Sequence, residues 1–327
     1  MDLRKQLFAI QNQADFTAVA LKVFAYQYEN CKIYRQYADM LCCQPDKITA
    51  IEQIPFLPIE FFKTQLIIAD GQVPQLTFTS SGTTGNQTAT HFVADKTLYE
   101  ESFLRCFEQF VGKPEDFVIL GLLPSYLERE NSSLVYMVND LIKRTKNQDS
   151  GFYLSDLEAF TEKLQKLSDK GQKTLVFGVG FALLDVVEKY RFALNNVLVF
   201  ETGGMKNRKQ EITRDELHRT LSAGFGIEKI CSEYGMTELL SQAYSLNGVS
   251  FRCPPWMQVL LRDMQDPLSL LPSVGKRGGI NVIDLANLYS CSFLATQDVG
   301  KYNEDESFEV LGRMQNSDMR GCNMLVE

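Results

Sequence analysis

The stretch Leu76-Thr77-Phe78-Thr79-Ser80-Ser81-Gly82-Thr83-Thr84-Gly85-Asn86 tells more about the chain than any other. Its first four residues, apolar or β-branched, predict a strand. The strand runs into six small residues, two glycines and four hydroxyl side chains. Glycines spaced in this way let the backbone turn sharply and point successive N–H groups into one concavity, which makes a nest for an anion. The hydroxyls add donors that rotate toward phosphate oxygens. The spacing GxxxxGK[ST] is absent and no lysine follows, so this is not a P-loop. The plainer alternative is a hydroxyl-rich turn between strands, although turn formation does not require such a density of Ser and Thr.

Outward from this loop the pattern alternates. Short apolar runs at 117–123 (FVILGLL), 174–177 (TLVF), 196–200 (NVLVF) and 280–285 (INVIDL) read as buried strands, with helical segments between them. Asp95 is expected to cap a helix that reaches Val111, with Leu104, Phe107 and Val111 on one face. Thr213 and Glu216 form a capping box at the start of another helix, which ends at Gly224–Gly226. Nearer the N-terminus, Phe16, Val19, Ala20, Val23 and Phe24 recur at helical spacing, and the two prolines of Ile54–Ile59 demand an extended segment. Strand and helix in alternation predict an α/β fold with a largely parallel sheet, whose ligands bind beyond the carboxyl ends of the strands.

Three further segments follow strands and carry chemistry. The run at 196–200 leads into Glu201-Thr202-Gly203-Gly204-Met205-Lys206, where a glycine pair admits a flat ligand close to the backbone. Lys206 is read either as a cation for that ligand or as a solvated loop lysine. Glu233-Tyr234-Gly235-Met236-Thr237-Glu238 combines an aromatic ring, a hydroxyl and a carboxylate. Thr296-Gln297-Asp298-Val299-Gly300 precedes a polar turn at 303–307 and then Phe308–Arg313; taken alone, Asp298 reads as a turn residue.

In this order the segments resemble the adenylate-forming enzymes, which include acyl-CoA synthetases and peptide-synthetase adenylation domains. The resemblance runs from about residue 76 to residue 322. It implies that Ser80, Ser81, Gly82, Thr83, Thr84 and Gly85 hold the phosphates of ATP, and that Gly203 and Gly204 pack against adenine. It also implies that Tyr234 stacks on adenine within the element Tyr234, Gly235, Met236, Thr237, Glu238, with Thr237 at the phosphates. Glu238, with Thr84, is the expected Mg²⁺ ligand set; a hard cation that keeps its waters needs little more than one carboxylate and substrate phosphates. Asp298 is expected to accept the ribose hydroxyls and Arg313 to reach the nucleotide. One departure stands out. The family places a lysine where this chain has Thr88, so Lys206 is expected to supply that charge.

Composition narrows the context. Hydrophobic residues make up 45% and charged residues 23%, and Lys plus Arg total 33 against 41 Asp plus Glu, a formal charge of −8. An acidic balance argues against a nucleic-acid or anionic-membrane surface. The N-terminal stretch lacks a signal-peptide core, and no apolar run is long enough to span a bilayer as a helix, so a cytoplasmic protein is expected. Eight cysteines without a CxxC pair, beside two histidines, read neither as a disulfide framework nor as structural zinc.

The ending refines the resemblance. Arg313-Met-Gln-Asn-Ser-Asp-Met-Arg320-Gly-Cys322, with the Gly-Gly-Met-Lys loop, is similar to the acyl-protein synthetases of the LuxE type. Those enzymes serve fatty-acid reduction in luminous bacteria, activate a fatty acid with ATP and pass the acyl group to a cysteine near their own C-terminus. The expected organisation is a mainly helical region over 1–75, a nucleotide- and acyl-binding α/β core over 76–312, and a short tail over 313–327 in place of the family's small mobile domain. Cys322 is the candidate acyl acceptor, with Arg313 and Arg320 upstream to favour its thiolate; the plainer reading is a packed cysteine. The resemblance thus implies a carboxylic acid substrate, bound near Gly178–Phe181 and Leu122–Tyr126. ATP and Mg²⁺ would be needed, and the partner would be an acyl-acceptor protein or acyl reductase. Two alternatives share the nucleotide residues: a phenylacetate-type ligase that uses free CoA, and a non-catalytic nucleotide-binding protein of the same fold. A serine hydrolase is excluded by the lack of a GxSxG elbow with a histidine base.

Overall fold

A computed structural model describes residues 2–80, 87–124, 131–202, 213–271 and 274–314. By contact the chain divides into two compact units, Met1–Val73 with Pro255–Glu327, and Pro74–Pro254. The helical N-terminal segment therefore packs with the last strands of the chain rather than with the residues that follow it.

The first unit opens with α1 (Leu3–Leu7), α2 (Gln13–Asn30) and α3 (Lys32–Met40), then β1 (Leu57–Pro58) and α4 (Phe61–Thr64). Asn12 caps α2 by accepting from the Asp15 amide at 3.0 Å, and the expected stripe Phe16, Val19, Ala20, Val23, Phe24 is buried. Gln27 on the same helix is also buried, and its amide nitrogen donates to the carbonyls of Asn287 and Leu288 at 2.9 and 3.0 Å.

The second unit begins with a hairpin, β2 (Leu76–Thr79) and β3 (Thr90–Val93), followed by α5 (Lys96–Phe110). Alternation then continues through β4 (Val118–Leu122), α6 (Ser133–Thr145), β5 (Gly151–Phe152), α7 (Leu157–Asp169), β6 (Thr174–Val179), α8 (Gly180–Lys189), β7 (Val197–Thr202), α9 (Arg214–Phe225) and β8 (Cys231–Tyr234), and ends in β9 (Ala243–Ser245) and β10 (Ser250–Phe251). The sheet order is β5-β4-β6-β7-β8-β9, parallel from β5 to β8 and antiparallel only at β9. This is the predicted parallel sheet. Its central strands are buried on both faces, as helices on either side require. Val118, Leu120, Val176 and Val199 pack with Leu183, Val187, Leu217 and Leu221 from α8 and α9, each such side chain contributing roughly 1.5–3 kcal/mol by leaving water.

Both predicted helix starts hold. Asp95 accepts from the Thr97 and Leu98 amides, and Thr213 accepts from the Glu216 amide at 3.2 Å. The face of α5 differs from the expected one: Leu98, Tyr99, Ser102, Phe103, Cys106 and Phe107 are buried and Leu104 is only half-buried. The stripe begins at the first turn, where Leu98 and Tyr99 set its phase.

The chain ends in β11 (Met257–Arg262), β12 (Arg277–Asp284), β13 (Phe293–Tyr302) and β14 (Phe308–Arg313), paired in the order β14-β13-β12-β11 and all antiparallel, with β1 parallel to β13. The run at 280–285 thus lies in a second, antiparallel sheet and not in the parallel one. Its continuous apolar pattern reports burial on both faces, which does not distinguish strand direction. Tyr34 from α3 stacks on Phe293 of β13 with centroids 5.9 Å apart and planes at 17°. Among the described residues no helix is long and apolar enough to cross a membrane.

Candidate active site

In the second unit Ser80 sits where β2 leaves the sheet. Its amide donates to the Ala89 carbonyl and its hydroxyl accepts from the Ala89 amide, both at 2.9 Å. Ser80 therefore closes the mouth of the hairpin that carries the glycine- and hydroxyl-rich loop. Thr88, at the far side of that mouth, is exposed. Ser81, Gly82, Thr83, Thr84 and Gly85 lie outside the described residues, as do Gly203, Gly204, Lys206, Tyr126 and Cys322.

The segment Tyr234–Glu238 emerges from the carboxyl end of β8. Tyr234 is buried, its ring 5.9 Å from that of Phe251, while Gly235 is exposed and Met236 and Thr237 are half-buried. A tight turn, Leu239 amide to Met236 carbonyl at 3.1 Å, folds Glu238 back so that it is only 8% exposed. From β3, His91 Nδ1 comes within 2.9 Å of the Thr237 carbonyl oxygen. A carbonyl only accepts, so Nδ1 carries the proton. Burial pushes His91 down to about 4, against a backbone hydrogen bond that pulls it up, and the ring is neutral at physiological pH.

Beneath the same segment lies Glu233. The Thr202 hydroxyl at the end of β7 donates to Glu233 Oε2 at 2.6 Å, across the in-register pair Thr202↔Glu233. Although Glu233 is only partly shielded as a residue, its carboxyl is packed against the turn. A Cβ at Gly235 would stand 2.3 Å from Glu233 Oε1, so a side chain there would displace the carboxyl. Burial raises the Glu233 carboxyl to about 7, the Thr202 hydrogen bond opposes that, and neighbouring Glu201 adds to it. Glu201 in turn meets Ser232 Oγ at 3.4 Å and His218 Nε2 at 3.7 Å, and Ser232 Oγ meets the same Nε2 at 3.4 Å. Serine and carboxylate share one ring nitrogen, so the trio lacks the relay through both nitrogens that a hydrolytic triad needs. At the carboxyl ends of β4 and β6, Leu122 and Gly178 are paired in register, which sets the two segments expected to border the acid side by side.

In the first unit, β13 and β14 bring Asp298 and Arg313 opposite each other. Arg313 Nε donates to Asp298 Oδ1 at 3.1 Å, the carboxylate buried and the arginine side chain 63% exposed. The Asp298 amide donates to Thr296 Oγ1 at 3.1 Å. The two residues predicted at the end of the chain thus stand together; in the other unit Tyr234, Gly235, Met236, Thr237 and Glu238 run from the end of β8 in the parallel sheet, and Ser80 follows β2 of the separate β2–β3 sheet. Sequence reading missed His91, Glu233 and Thr202. Glu233 directly precedes the Tyr-Gly step and was within reach; His91 has no local pattern beyond an inward position on a short strand. Among the described residues no group of three or more His, Cys, Asp or Glu side chains is placed to hold a metal. A buried carboxylate such as that of Glu238 is a hard oxygen donor of the kind that suits Mg²⁺, which needs few protein ligands beside phosphate oxygens and water.

Residues 7–327 match the profile of the acyl-protein synthetases, LuxE. The chain belongs to the LuxE acyl-protein synthetase family. It is 25% identical over 347 residues to the long-chain-fatty-acid–luciferin-component ligase of Vibrio harveyi, covering 97% of this chain and 89% of that protein. A segment of 72 residues is 38% identical to the ligase of the same name from Photorhabdus luminescens, covering 20% of this chain and 58% of that protein. Among solved structures, an open 2-hydroxyisobutyryl-CoA ligase in complex with 2-HIB-AMP and CoA superposes with a TM-score of 0.69 at 12% identity, over 94% of this chain and 72% of that one. ATP-bound MatB from Rhodopseudomonas palustris gives a TM-score of 0.54 at 20% identity over 72% of this chain. This chain spans about half of MatB, 47% of its length. At such identities the likeness is one of fold, and the fold is the adenylation type. The α/β architecture of this chain agrees with that fold.

Proposed function

We propose that this acyl-protein synthetase activates a long-chain carboxylic acid with ATP and passes the acyl group to its own Cys322. The observation that carries the first half is the joining of the hairpin from which the hydroxyl-rich loop springs to the Tyr234–Glu238 segment, through His91 and the Thr237 carbonyl. His91 and Thr237, 146 residues apart, thereby tie that hairpin to the segment that follows β8, and the carboxyl ends of parallel strands are where such folds bind ligands.

In the proposed reaction a carboxylate oxygen attacks the α-phosphorus of ATP, the bond from that phosphorus to the bridging oxygen breaks, and pyrophosphate leaves. The thiolate of Cys322 then attacks the acyl carbon and AMP departs. Ser81–Gly85 supply backbone and hydroxyl donors to the phosphates, and Tyr234 with Gly203 and Gly204 receives adenine. Asp298 accepts from the ribose hydroxyls, and Arg313 bears on the nucleotide while it holds Asp298. Lys206 adds positive charge near the reacting phosphate. Most of the rate comes from orientation and from donors fixed before the reaction begins. Glu238, with Thr84, would hold Mg²⁺, which supplies charge neutralisation at the phosphates. The luciferin-component ligases named above act on long-chain fatty acids, and the same class of acid is proposed here. An acyl-accepting or acyl-reducing protein is the proposed partner downstream.

Acid-dependent exchange of pyrophosphate into ATP tests the activation step, across short, medium, long and aromatic acids. Exchange that peaks with long-chain acids and falls at least about a hundredfold in Glu238→Gln is expected. ATP binding without exchange for any acid would refute the activating enzyme. Intact-mass measurement then reads the second step: one hydroxylamine-labile acyl group on the wild type and none on Cys322→Ser. Thioester formed on added CoA by Cys322→Ser at the wild-type rate would transfer the acceptor role from Cys322 to CoA.

A further inference from the structure

Arg262 ends β11 and is only 6% exposed. A guanidinium keeps its charge in a protein, so a buried one must have its donors met. Those donors converge on one place. Nη1 donates to the Ile280 carbonyl and to Asn281 Oδ1, both at 2.8 Å, and Nη2 donates to the Thr296 carbonyl and lies 3.9 Å from Met314 Sδ.

These acceptors surround a break in the ladder. Pairing between β12 and β13 runs through Gly279↔Val299 and resumes at Asn281↔Ala295. Ile280 therefore faces three residues, Thr296, Gln297 and Asp298. Such a bulge takes carbonyls out of the ladder, and buried carbonyls need donors from elsewhere. Arg262 serves those of Ile280 and Thr296. Thr296 completes the arrangement: its hydroxyl donates to the Ile280 carbonyl at 2.9 Å and accepts from the Asp298 amide at 3.1 Å. Gly279 is small for the same reason, since a Cβ there would stand 2.7 Å from Arg262 Cζ and 2.5 Å from Met314 Cε.

We propose that Arg262 is a positioning residue that holds the Thr296–Asp298 bulge and thereby fixes the direction in which Asp298 offers its carboxylate to the ribose. The inference rests on the reading of Asp298 given above. A bulge re-aims the side chains within it, and this one carries the residue at issue. Without the guanidinium, two buried carbonyls lose donors, and the strand relaxes toward a regular register that turns Asp298.

The test uses the full chain and MgATP. Calorimetric binding is measured for wild type, Arg262→Lys, Arg262→Met, Asp298→Asn and the Arg262→Met/Asp298→Asn pair, beside deuterium uptake over residues 293–302. Arg262→Met is expected to bind MgATP about tenfold more weakly, Arg262→Lys less so because it keeps part of the donor set, with the loss in the ATP KM of the exchange reaction and not in its saturated rate. Adding Arg262→Met to Asp298→Asn should cost nothing further, the mark of residues acting as one unit. Faster exchange at the Asp298 amide should accompany the loss. Wild-type affinity in Arg262→Met, beside weakened binding in Asp298→Asn, overturns the proposal. If Arg262→Met does not fold, Gly279→Ala and Thr296→Val disturb the same bulge from either side, and unchanged affinity in both overturns it equally. Should Asp298→Asn itself bind MgATP as wild type does, the ribose reading has failed; deuterium uptake then decides the bulge alone, and unchanged uptake in Arg262→Met refutes it.

Discussion

His91 Nδ1 donates to the Thr237 carbonyl across 2.9 Å, a bond that ties the β2–β3 hairpin to the Tyr234–Glu238 segment. His91 is fully buried and uncharged, so the bond is a fixed strut and not a surface contact that water can replace. Its two ends belong to the two sequence elements that carry most of the proposed nucleotide chemistry.

Replacing His91 by Ala takes a donor from the Thr237 carbonyl and leaves a cavity in its place. A loss of about 2–4 kcal/mol in unfolding free energy is expected, with a larger loss in ATP affinity than a remote core cavity of the same cost would give. His91→Asn, which can still donate, should recover part of both. Chemical denaturation and nucleotide titration of the two variants measure this. Equal ATP affinity in wild type and His91→Ala would deny the strut any part in binding.

Two buried groups titrate with opposite sign. His91 sits at about 4 in the fold against 6.5 when unfolded, so the unfolded chain binds more protons in that window and stability is lost as pH falls through it. Glu233 sits at about 7 against 4.5, so the folded chain binds more protons and stability is lost as pH rises through that range. Each slope is about 1.4 kcal/mol per pH unit where the windows are fully open, and the two oppose each other between 4.5 and 6.5. Relative to wild type, Glu233→Gln should therefore gain stability as pH rises from 4.5 to 7, while His91→Asn should lose it from 4 to 6.5. Urea denaturation at four or five pH values reads both, and parallel curves would contradict the burial of these groups.

Gly235→Ala places a methyl 2.3 Å from Glu233 Oε1. The carboxyl must swing away, breaking its 2.6 Å bond from Thr202. Weaker ATP binding by about tenfold is expected, with little loss of melting temperature because residue 235 itself is exposed. Combining it with Thr202→Val should give less than the sum of the two effects, since both act on one carboxyl.

Gly226 ends α9 with φ at +65°, and a Cβ there would lie 2.3 Å from the Phe192 carbonyl oxygen. Gly226→Ala should cost about 2–4 kcal/mol, more than backbone strain alone, because a main-chain oxygen cannot step aside. Thermal denaturation is the measurement. Gly171→Ala makes the comparison, with φ at +63° and nothing within 4 Å of the added carbon, and should cost only about 1 kcal/mol.

Much of the fold was legible because its signals are local. The apolar run at 196–200, observed as a strand over Val197–Thr202, the caps at Asp95 and Thr213 and the buried stripe of α2 follow from side-chain periodicity and from a single oxygen placed before a helix. The segments at 76–86 and 234–238 stood out through their residue types, glycines among hydroxyls in the one and a ring, a hydroxyl and a carboxylate in the other. The direction of the strand at 280–285 was not, since burial on both faces looks the same in either sheet. Arg262 was hidden for a related reason: an arginine before an aspartate in a loop-bound segment reads as solvated, and only the bulge in a neighbouring strand gives it acceptors.

The sequence by itself determined the parallel sheet, its helix caps and the family to which the chain belongs, because each is written in short contiguous stretches of residues. Tertiary structure alone decided that His91 serves Thr237, that Thr202 serves Glu233 and that Arg262 serves the bulge beside Asp298. The partners lie 146 and 31 residues apart, and for Arg262 18 and 34, and a buried donor takes whichever acceptor the packed backbone brings to it.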